Sequence, residues 1–317
     1  MDTNSIKAIT CFGELLIDMI SSNTGSLIDS EGFLKKFGGA PGNTAAGISI
    51  LGLPANMIAK VGNDPFGHFL KKTLDDVGVN TSSVIVSESD KTTLAFVSLG
   101  EHGSRDFFFY KGAHDAITPG EVNLPEETAI FHFGSLTQTN RANRKATEKL
   151  INQARKLGAQ ISYDPNLRES LWDNLAETKK IMLATAKKVN IFKISQEEAY
   201  FLAGRGRIED LADELFTNNL DILFITLGAQ GCYYKTAKFT GLIPTIKVKV
   251  VDTTGAGDAF NAGHLSAIFE SGKTYAQLTK DQLDKLVTHA NVIAALTTTK
   301  KGAISAFPTT AQISKYA

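Results

Sequence analysis

The chain contains 317 residues, 43% of them hydrophobic and 21% charged, which supplies enough apolar material for the core of one large domain. Its 33 basic residues balance its 33 acidic residues, so net charge gives no general attraction to nucleic acid or to an anionic membrane. Two cysteines, Cys11 and Cys232, lie far apart in apolar segments, which indicates buried reduced thiols rather than a disulfide framework.

The sequence also predicts where the protein resides. No uninterrupted apolar stretch of about 18 residues occurs, so we expect no membrane-spanning helix. Glu14 and Asp18 interrupt the apolar run near the N-terminus, an interruption that a signal peptide would not tolerate. We therefore expect a soluble, cytoplasmic protein that has neither a nucleic-acid partner nor a membrane partner.

Short β-branched segments alternate with longer helical patterns along the chain. The predicted strands of this alternation are residues 8–12, 55–61, 130–133, 160–163, 189–194 and 222–227. The predicted helices are residues 42–51, 66–77, 141–157, 175–188, 196–203, 208–218, 258–270 and 281–296. Such alternation is typical of an α/β fold, in which a doubly wound, mostly parallel sheet carries helices on both faces.

The first third of the chain breaks this rhythm, because its strand-like segments follow one another without helices between partners. These segments are residues 15–20, 33–37, 91–99 and 106–111. We expect them to form a small β-sheet lid, built from excursions at approximately 15–37 and 91–111. Both excursions belong to a single predicted domain, residues 1–317.

The string DTTGAGDAF at residues 252–260 follows an apolar run at 246–251, which we interpret as a strand, and precedes an apolar helix. A glycine-rich turn at a helix N-terminus presents unpaired N–H groups and the positive end of the helix dipole, which together bind anions. Asp258 lies beside this turn, where a carboxylate can accept the proton of an attacking hydroxyl during phosphoryl transfer. The alternative is that Asp258 merely caps the helix and the glycines merely turn the chain.

A second glycine-rich string, FGGAPGNTA at residues 37–45, also precedes a helix. Asn43 lies in the first turn of that helix and can offer its amide to sugar hydroxyls, although a solvated loop is the alternative. Two other phosphate motifs are excluded. The string GKT at 272–274 follows a helix and lacks the upstream glycine of a P-loop, and no Gly-x-Gly-x-x-Gly follows the first strand.

Taken together, the two strings closely resemble the two signatures of the ribokinase-like carbohydrate kinases, in the right order and over nearly the whole chain. The resemblance implies a large α/β domain with a small β-sheet lid over the sugar. It implies that Asp258 is the catalytic base and that Gly255, Ala256 and Gly257 form the anion hole. ATP would be a co-substrate together with Mg²⁺.

The resemblance implies further roles at matching positions. It assigns sugar contacts to Asp18, in the string GELLID at 13–18, and to Gly39 and Asn43. It assigns ATP contacts to Lys193, Thr226, Gly228, Gly231 and Asn291. It assigns a monovalent-cation site, suited to K⁺, to Asp252 and Thr254 with the backbone near Gly302 and Ala303.

One position departs from the family pattern. Many relatives carry Asn-x-x-Glu, which organises phosphate and magnesium, whereas Ser195 replaces the amide here and Glu198 keeps the acid. Glu198 is therefore our predicted metal residue, and the alternative is a solvated helix start that complements the dipole. The string KIS at 193–195 before a Glu pair resembles the fructokinase branch.

Three weaker signals resemble fructokinases: Ala40-Pro41 in the first signature, the string DPNLR at 164–168, and Arg105 on a lid turn. We predict that Arg105 and Arg168 contact substrate and that the enzyme phosphorylates the 6-hydroxyl of D-fructose. DPNLR also resembles 2-keto-3-deoxygluconate kinases, so that activity is an alternative, as are another sugar or nucleoside kinase and an inactive, binding member. Family analogy further suggests a homodimer.

Overall fold

The computed structural model describes residues 6–99 and 105–316, and for Leu99 and residues 105–107 it describes the backbone only. The strands, in chain order, are β1 (Ala8–Phe12), β2 (Leu16–Thr24), β3 (Phe33–Gly38), β4 (Ala55–Gly62), β5 (Val84–Ser87), β6 (Thr93–Leu99), β7 (Arg105–Tyr110), β8 (Thr128–Gly134), β9 (Gln160–Asp164), β10 (Ile191–Ser195), β11 (Ile222–Thr226), β12 (Cys232–Lys235) and β13 (Thr240–Ile243).

The structure describes nine α-helices, and all but the last match the predicted pattern closely. They are α1 (Ala40–Ile50), α2 (Pro65–Asp76), α3 (Arg141–Leu157), α4 (Leu175–Ala186), α5 (Gln196–Ala203), α6 (Ile208–Leu215), α7 (Ala256–Ser271), α8 (Lys280–Thr297) and α9 (Thr310–Ile313). Their ends follow local chemistry. Asp64 caps α2 by accepting from the N–H groups of Phe66 and Gly67, and Gly158 ends α3 in the left-handed conformation at φ 69°.

Within the described residues, nine strands form one large sheet in the order β13-β12-β11-β10-β9-β8-β1-β4-β5. Every neighbouring pair from β5 to β11 is parallel, and β12 and β13 join the edge as antiparallel strands. The strand order reverses between β1 and β8, so the carboxyl ends of these strands flank a crevice where ligands bind in open α/β sheets.

Apolar side chains cover both faces of this sheet. On β11, Ile222 and Phe224 face one hydrophobic cluster, whereas Leu223 and Ile225 face the other, as strand alternation requires. Helices α1, α2, α7, α8 and α9 pack on the first face, and α3, α4, α5 and α6 pack on the second. The prediction of an α/β fold with a doubly wound, mostly parallel sheet is confirmed.

Four strands form a separate small sheet in the order β3-β2-β6-β7, with β2 and β6 parallel and both outer pairs antiparallel. The sheet uses the segments between β1 and α1 and between β5 and β8. Its aromatic rings pack edge to face, Phe96 against both Phe33 and Tyr110, and Phe108 against Tyr110. The turn at residues 101–104 lies outside the described residues.

One predicted strand is wrong. Residues 244–250, which include most of the apolar run before the second signature, have no regular secondary structure. Pro244 has no N–H to donate to a neighbouring strand. The segment instead contacts α8, where the Thr245 hydroxyl donates to the Asn291 carbonyl at 3.2 Å. The short strands β5, β12 and β13 were missed, because four-residue runs carry too little periodicity.

Of the helices that the structure describes, none combines the length and the apolar character that crossing a lipid bilayer requires.

Candidate active site

The glycine-rich string at 252–260 forms a tight turn at the start of α7. Gly255 precedes the helix at φ 78°, and a Cβ there would lie 2.6 Å from the Cβ of Ala303, so both conformation and packing require glycine. The Ala256 N–H donates to the Thr253 carbonyl at 3.2 Å, and no protein acceptor is recorded among the described residues for the N–H groups of Gly255 and Gly257. These two donors therefore remain for an anion at the positive end of the helix.

Asp258 is the third residue of α7 and is 7% exposed. Its Oδ2 accepts a hydrogen bond from the Asn43 amide at 2.8 Å, and no side chain caps the helix. The interpretation of Asp258 as a simple cap therefore fails. Burial, followed by the Asp164 charge, raises the pKa of Asp258, whereas the Asn43 hydrogen bond and the Lys193 and Arg168 charges lower it, and the balance is a pKa of about 6.

Asn43 lies in the first turn of α1, within the glycine-rich string at 37–45. Gly39 precedes the helix at φ 112°, a conformation that favours glycine, and its Cα lies so close to the Glu14 carbonyl that no side chain fits. The predicted solvated loop is wrong for this string, since Asn43 is only 5% exposed. Its amide joins the two signatures across 215 positions of sequence.

Glu14 is a buried acid near the site for which no role was predicted. Its Oε1 accepts from the Ala40 N–H at 3.1 Å, at the start of α1, and its Oε2 is buried with no recorded partner. Burial raises the pKa of Glu14 to about 7, and the Arg168 and Asp258 charges act on it with opposite signs. Glu14 is therefore electrostatically coupled to the catalytic centre.

Asp18, the predicted sugar contact, lies on β2 where that strand pairs with β3. A Cβ on Gly38 would lie 2.5 Å from Asp18 Oδ2, so the glycine leaves room for this carboxylate beside the first signature. The backbone of the other lid candidate, Arg105, begins β7, but its side chain lies outside the described residues.

A pocket of about 480 Å³ opens beside the start of α7. Among its walls are six predicted site residues: Arg168, Lys193, Glu198, Thr226, Gly228 and Gly257. The pocket therefore collects positions from four separate segments of the chain at the carboxyl ends of β9, β10 and β11, the edge where the topology predicts a ligand.

Glu198 stabilises the wall of this pocket through two hydrogen bonds from the backbone. One of its oxygens accepts from the Ser195 N–H and the other from the Leu167 N–H, both at 2.7 Å. Ser195 in turn accepts from the Glu198 N–H, so the two residues form a capping box at the start of α5. Glu198 is 8% exposed, which excludes the alternative of a solvated helix start. It holds the turn that carries Arg168.

Lys193 is a buried ammonium beside the anion-binding turn. Its Nζ donates to Asp164 Oδ2 at 2.9 Å, and a Cβ on Gly257 would lie 3.1 Å from the same Nζ. Asn261, one turn after Asp258 on α7, donates to Asp164 Oδ2 at 2.7 Å. Asp164 begins the string DPNLR, but no role was predicted for it, and nothing in the sequence marked Asn261.

Asp252 and Thr254 form a small ring of oxygens before α7. Asp252 Oδ1 accepts from both the N–H and the hydroxyl of Thr254, at 3.0 and 2.7 Å, and Oδ2 accepts from the Gly302 N–H at 2.9 Å. The structure thus brings together the two segments, 252–254 and 302–303, that the resemblance assigned to a cation site.

Two predicted ATP contacts meet away from this pocket's wall. The Asn291 amide donates to the Ile243 carbonyl at 2.9 Å, and the Cα of Gly231 packs against the same carbonyl, with no space for a side chain. Gly231 and Asn291 therefore fix the end of β13, and their contact with ATP stays a prediction.

Comparison with known proteins agrees with this geometry. The chain is 41% identical to "Probable fructokinase-2" of Arabidopsis thaliana over 95% of this chain and 93% of that protein. It is 39% identical to "Fructokinase-1" of Zea mays, over 97% of this chain and 96% of that protein.

Among solved structures, fructokinase from Xylella fastidiosa with bound ATP has a TM-score of 0.89 at 29% identity, covering 98% of this chain and 97% of that chain. A fructokinase from Vibrio cholerae O395 in fructose, ADP and calcium ion bound form has a TM-score of 0.85 at 30% identity, covering 99% of each chain. The sequence profile of the pfkB family carbohydrate kinases matches residues 7–310. The chain therefore belongs to the pfkB family of carbohydrate kinases.

Proposed function

We propose that the protein is an ATP-dependent fructokinase, which transfers the γ-phosphoryl group of ATP to the 6-hydroxyl of D-fructose. The observation that carries this proposal is the Asn43–Asp258 hydrogen bond of 2.8 Å, which joins the sugar-side signature to a buried carboxylate beside an anion-binding turn. Relatives named fructokinase, about 40% identical over nearly the whole chain, support fructose as the sugar.

In this reaction the 6-hydroxyl oxygen attacks the γ-phosphorus while the bond from phosphorus to the bridging oxygen of ADP breaks. The hydroxyl proton passes to Asp258, whose pKa of about 6 leaves it ionised near pH 7 yet more basic than an ordinary carboxylate. The N–H groups of Gly255 and Gly257 stabilise negative charge on the transferring group, and the Lys193 ammonium adds positive charge beside them.

Two ions would support this chemistry. Mg²⁺ bound together with ATP would neutralise phosphate charge during the transfer, and Glu198 is the residue that would help to hold it. No cluster of three His, Cys, Asp or Glu side chains suited to a metal occurs within residues 6–99 and 105–316. Each oxygen of Glu198 already accepts one backbone hydrogen bond, so its remaining lone pairs are what it offers for a direct or water-mediated contact with the metal.

The oxygen-rich ring of Asp252 and Thr254 has the donors that K⁺ prefers, and a cation there would stiffen the adjoining anion-binding turn. Replacing K⁺ with tetramethylammonium at constant ionic strength should lower kcat. An unchanged kcat would remove K⁺ from the proposal and leave the rest intact.

One observation favours a second candidate sugar. Arg168 is exposed on the pocket wall, where its guanidinium would suit the carboxylate of 2-keto-3-deoxygluconate. The deciding experiment is a panel of fructose, 2-keto-3-deoxygluconate, glucose and ribose with ATP, read as ADP release. We expect the highest kcat/KM for fructose. A clear preference for the acid sugar would replace fructose, and no turnover with any sugar would support the inactive, binding alternative.

The single kinase domain, the lid and the homodimer belong to the same proposal. Leu34, Phe108 and Tyr110 of the small sheet are more than half exposed, and such apolar residues fit either closure over the sugar or pairing with a second copy. Sedimentation velocity should give a dimer whose stability falls in a Phe108→Ser variant, and a monomer at all concentrations would contradict the dimer. The cytoplasmic location stays a prediction.

A further inference from the structure

Asp164 is a buried carboxylate that joins three elements around the pocket without reaching it. It ends β9, is 3% exposed and is absent from the pocket wall. Its Oδ2 accepts from Lys193 Nζ on β10 at 2.9 Å and from the Asn261 amide on α7 at 2.7 Å. Its Oδ1 accepts from the Asn166 N–H at 3.1 Å, which holds Asn166 at φ 44°.

Lys193 lies on the other side of this carboxylate and does reach the pocket. Its side chain is 7% exposed, and its Nζ lies next to Gly257, whose N–H faces the anion site. A buried ammonium is unstable without a partner, since water no longer solvates its charge. Asp164 is the carboxylate that the structure places in hydrogen-bonding contact with this ammonium.

The charges around Lys193 act in opposite directions. Burial is the largest single influence and lowers the pKa of Lys193. The nearby carboxylates together raise this pKa by more than burial lowers it, so the pKa lies above its usual value. The titratable groups that act on Lys193, or on which it acts, are Asp164, Glu198, Asp258, His132, His264 and Cys232. Burial lowers the pKa of both histidines and raises that of the thiol, so these three groups stay neutral.

We propose that Asp164 is a positioning residue for ATP, acting through Lys193: it keeps the ammonium charged and fixed beside Gly257, where the transferring phosphate passes. The inference rests on the proposed function, because it takes ATP as the phosphate donor. Asp164 touches neither substrate, and its effect on phosphate binding is carried by the Lys193 charge.

The test is the Asp164→Asn variant, assayed as kcat/KM for ATP between pH 6.5 and 10. An amide retains one acceptor for the Asn166 N–H, but its NH₂ group opposes the donors Lys193 and Asn261. Lys193 then loses its ion pair while it stays buried, so its pKa falls. We expect a new alkaline limb below pH 10 that corresponds to the loss of one proton. One pH unit above the new pKa of Lys193, kcat/KM for ATP should be about tenfold lower than on the plateau. The wild type should show no such limb.

A double variant, Asp164→Asn with Lys193→Gln, keeps the inference falsifiable if the single variant fails to fold, since it leaves no unpaired buried charge. If Asp164 acts through Lys193, the double variant has the kcat/KM for ATP of Lys193→Gln alone and no alkaline limb. A double variant much weaker than Lys193→Gln would overturn the inference.

The matched control is Glu121→Gln, because Glu121 also pairs with a buried lysine, Lys60, at 2.9 Å but lies away from the pocket wall. We expect the control to keep the wild-type pH profile. A pH-independent loss of activity in Asp164→Asn, with a lower Tm, would show a merely structural role and overturn the inference. Wild-type protein that released no ADP from ATP would instead contradict the proposed function, which separates the two failures.

Discussion

At the scale of single residues, the proposed mechanism depends most on Asp258. Asp258→Asn is nearly isosteric and keeps an oxygen that can accept from Asn43, but it cannot take the proton of the attacking hydroxyl. We expect kcat to fall roughly 10²–10⁴-fold, with a residual rate from positioning and the anion-binding turn. ADP release at saturating ATP and fructose measures this, with isothermal titration to confirm that both substrates still bind. A wild-type kcat would end the proposed mechanism.

The same substitution should stabilise the protein. The folded-state pKa of Asp258, about 6, lies above its ordinary value of 3.8, so ionisation of this buried acid opposes folding above pH 6. Removing the carboxylate should raise the free energy of unfolding at pH 7.5 by up to ~3 kcal/mol. The gain should shrink as pH falls towards 4. Equal Tm values for variant and wild type at pH 7.5 would show that burial does not destabilise this charge.

The free energy of unfolding should also depend on pH through Glu14, in the same direction as through Asp258. Its pKa rises from 4.5 to about 7 on folding, so the folded state holds this proton more tightly than the unfolded state does. The stability contributed by the protonated form is present below pH 4.5 and is lost as pH rises towards 7. Glu14→Gln keeps an acceptor for the Ala40 N–H and should reduce this loss of stability as pH rises.

Denaturant unfolding of the Glu14→Gln variant and wild type at pH 5, 6, 7 and 8 measures the effect. The variant should gain on the wild type by up to ~3 kcal/mol across this range. Parallel curves would show that Glu14 is ionised without penalty in the folded state.

At the scale of elements, the two ends of α7 offer a matched pair of glycines. Gly255 has φ 78° and Gly272 has φ 63°, so alanine strains the backbone by about 1–2 kcal/mol at either position. A Cβ on Gly255 would also lie 2.6 Å from that of Ala303, whereas no atom lies within 4 Å of one on Gly272. Gly255→Ala should therefore displace the anion-binding turn, and Gly272→Ala should not.

We expect Gly255→Ala to lose most of its kcat and Gly272→Ala to keep the wild-type kcat, with a lower Tm for both. Thermal melts and ADP release measure the two effects separately. Equal kcat losses in both variants would mean that activity follows helix stability rather than the geometry of the turn.

At the scale of the whole molecule, the small sheet should move relative to the large one. The strands of the small sheet carry Asp18, and a lid that closes over fructose would exclude water from Asp258. Hydrogen exchange with and without fructose should show slowing in the described strands at 16–38 and 93–110. Slowing confined to residues 220–300 would contradict the lid.

Some features were predictable because they are local. The strand–helix alternation and the glycine spacing follow from neighbouring residues, and the predicted bounds of α3 and α5 match the structure. The strand predicted at 246–251 is wrong because a local pattern does not show whether a segment finds a sheet partner. Residues 246–251 alternate like a strand, yet Pro244 and the contact with α8 leave most of this run without a sheet partner.

By itself, the sequence determined the fold class and marked Asp258, beside a glycine-rich turn, as the candidate catalytic base, since periodicity and a glycine-flanked aspartate are properties of short segments. Only the tertiary structure decided what surrounds that acid. The contact between Asn43 and Asp258 spans 215 positions, and the one between Asp164 and Lys193 spans 29. Burial and pairing depend on which strands become neighbours, and these fix the pKa of Asp258; no short segment contains that information.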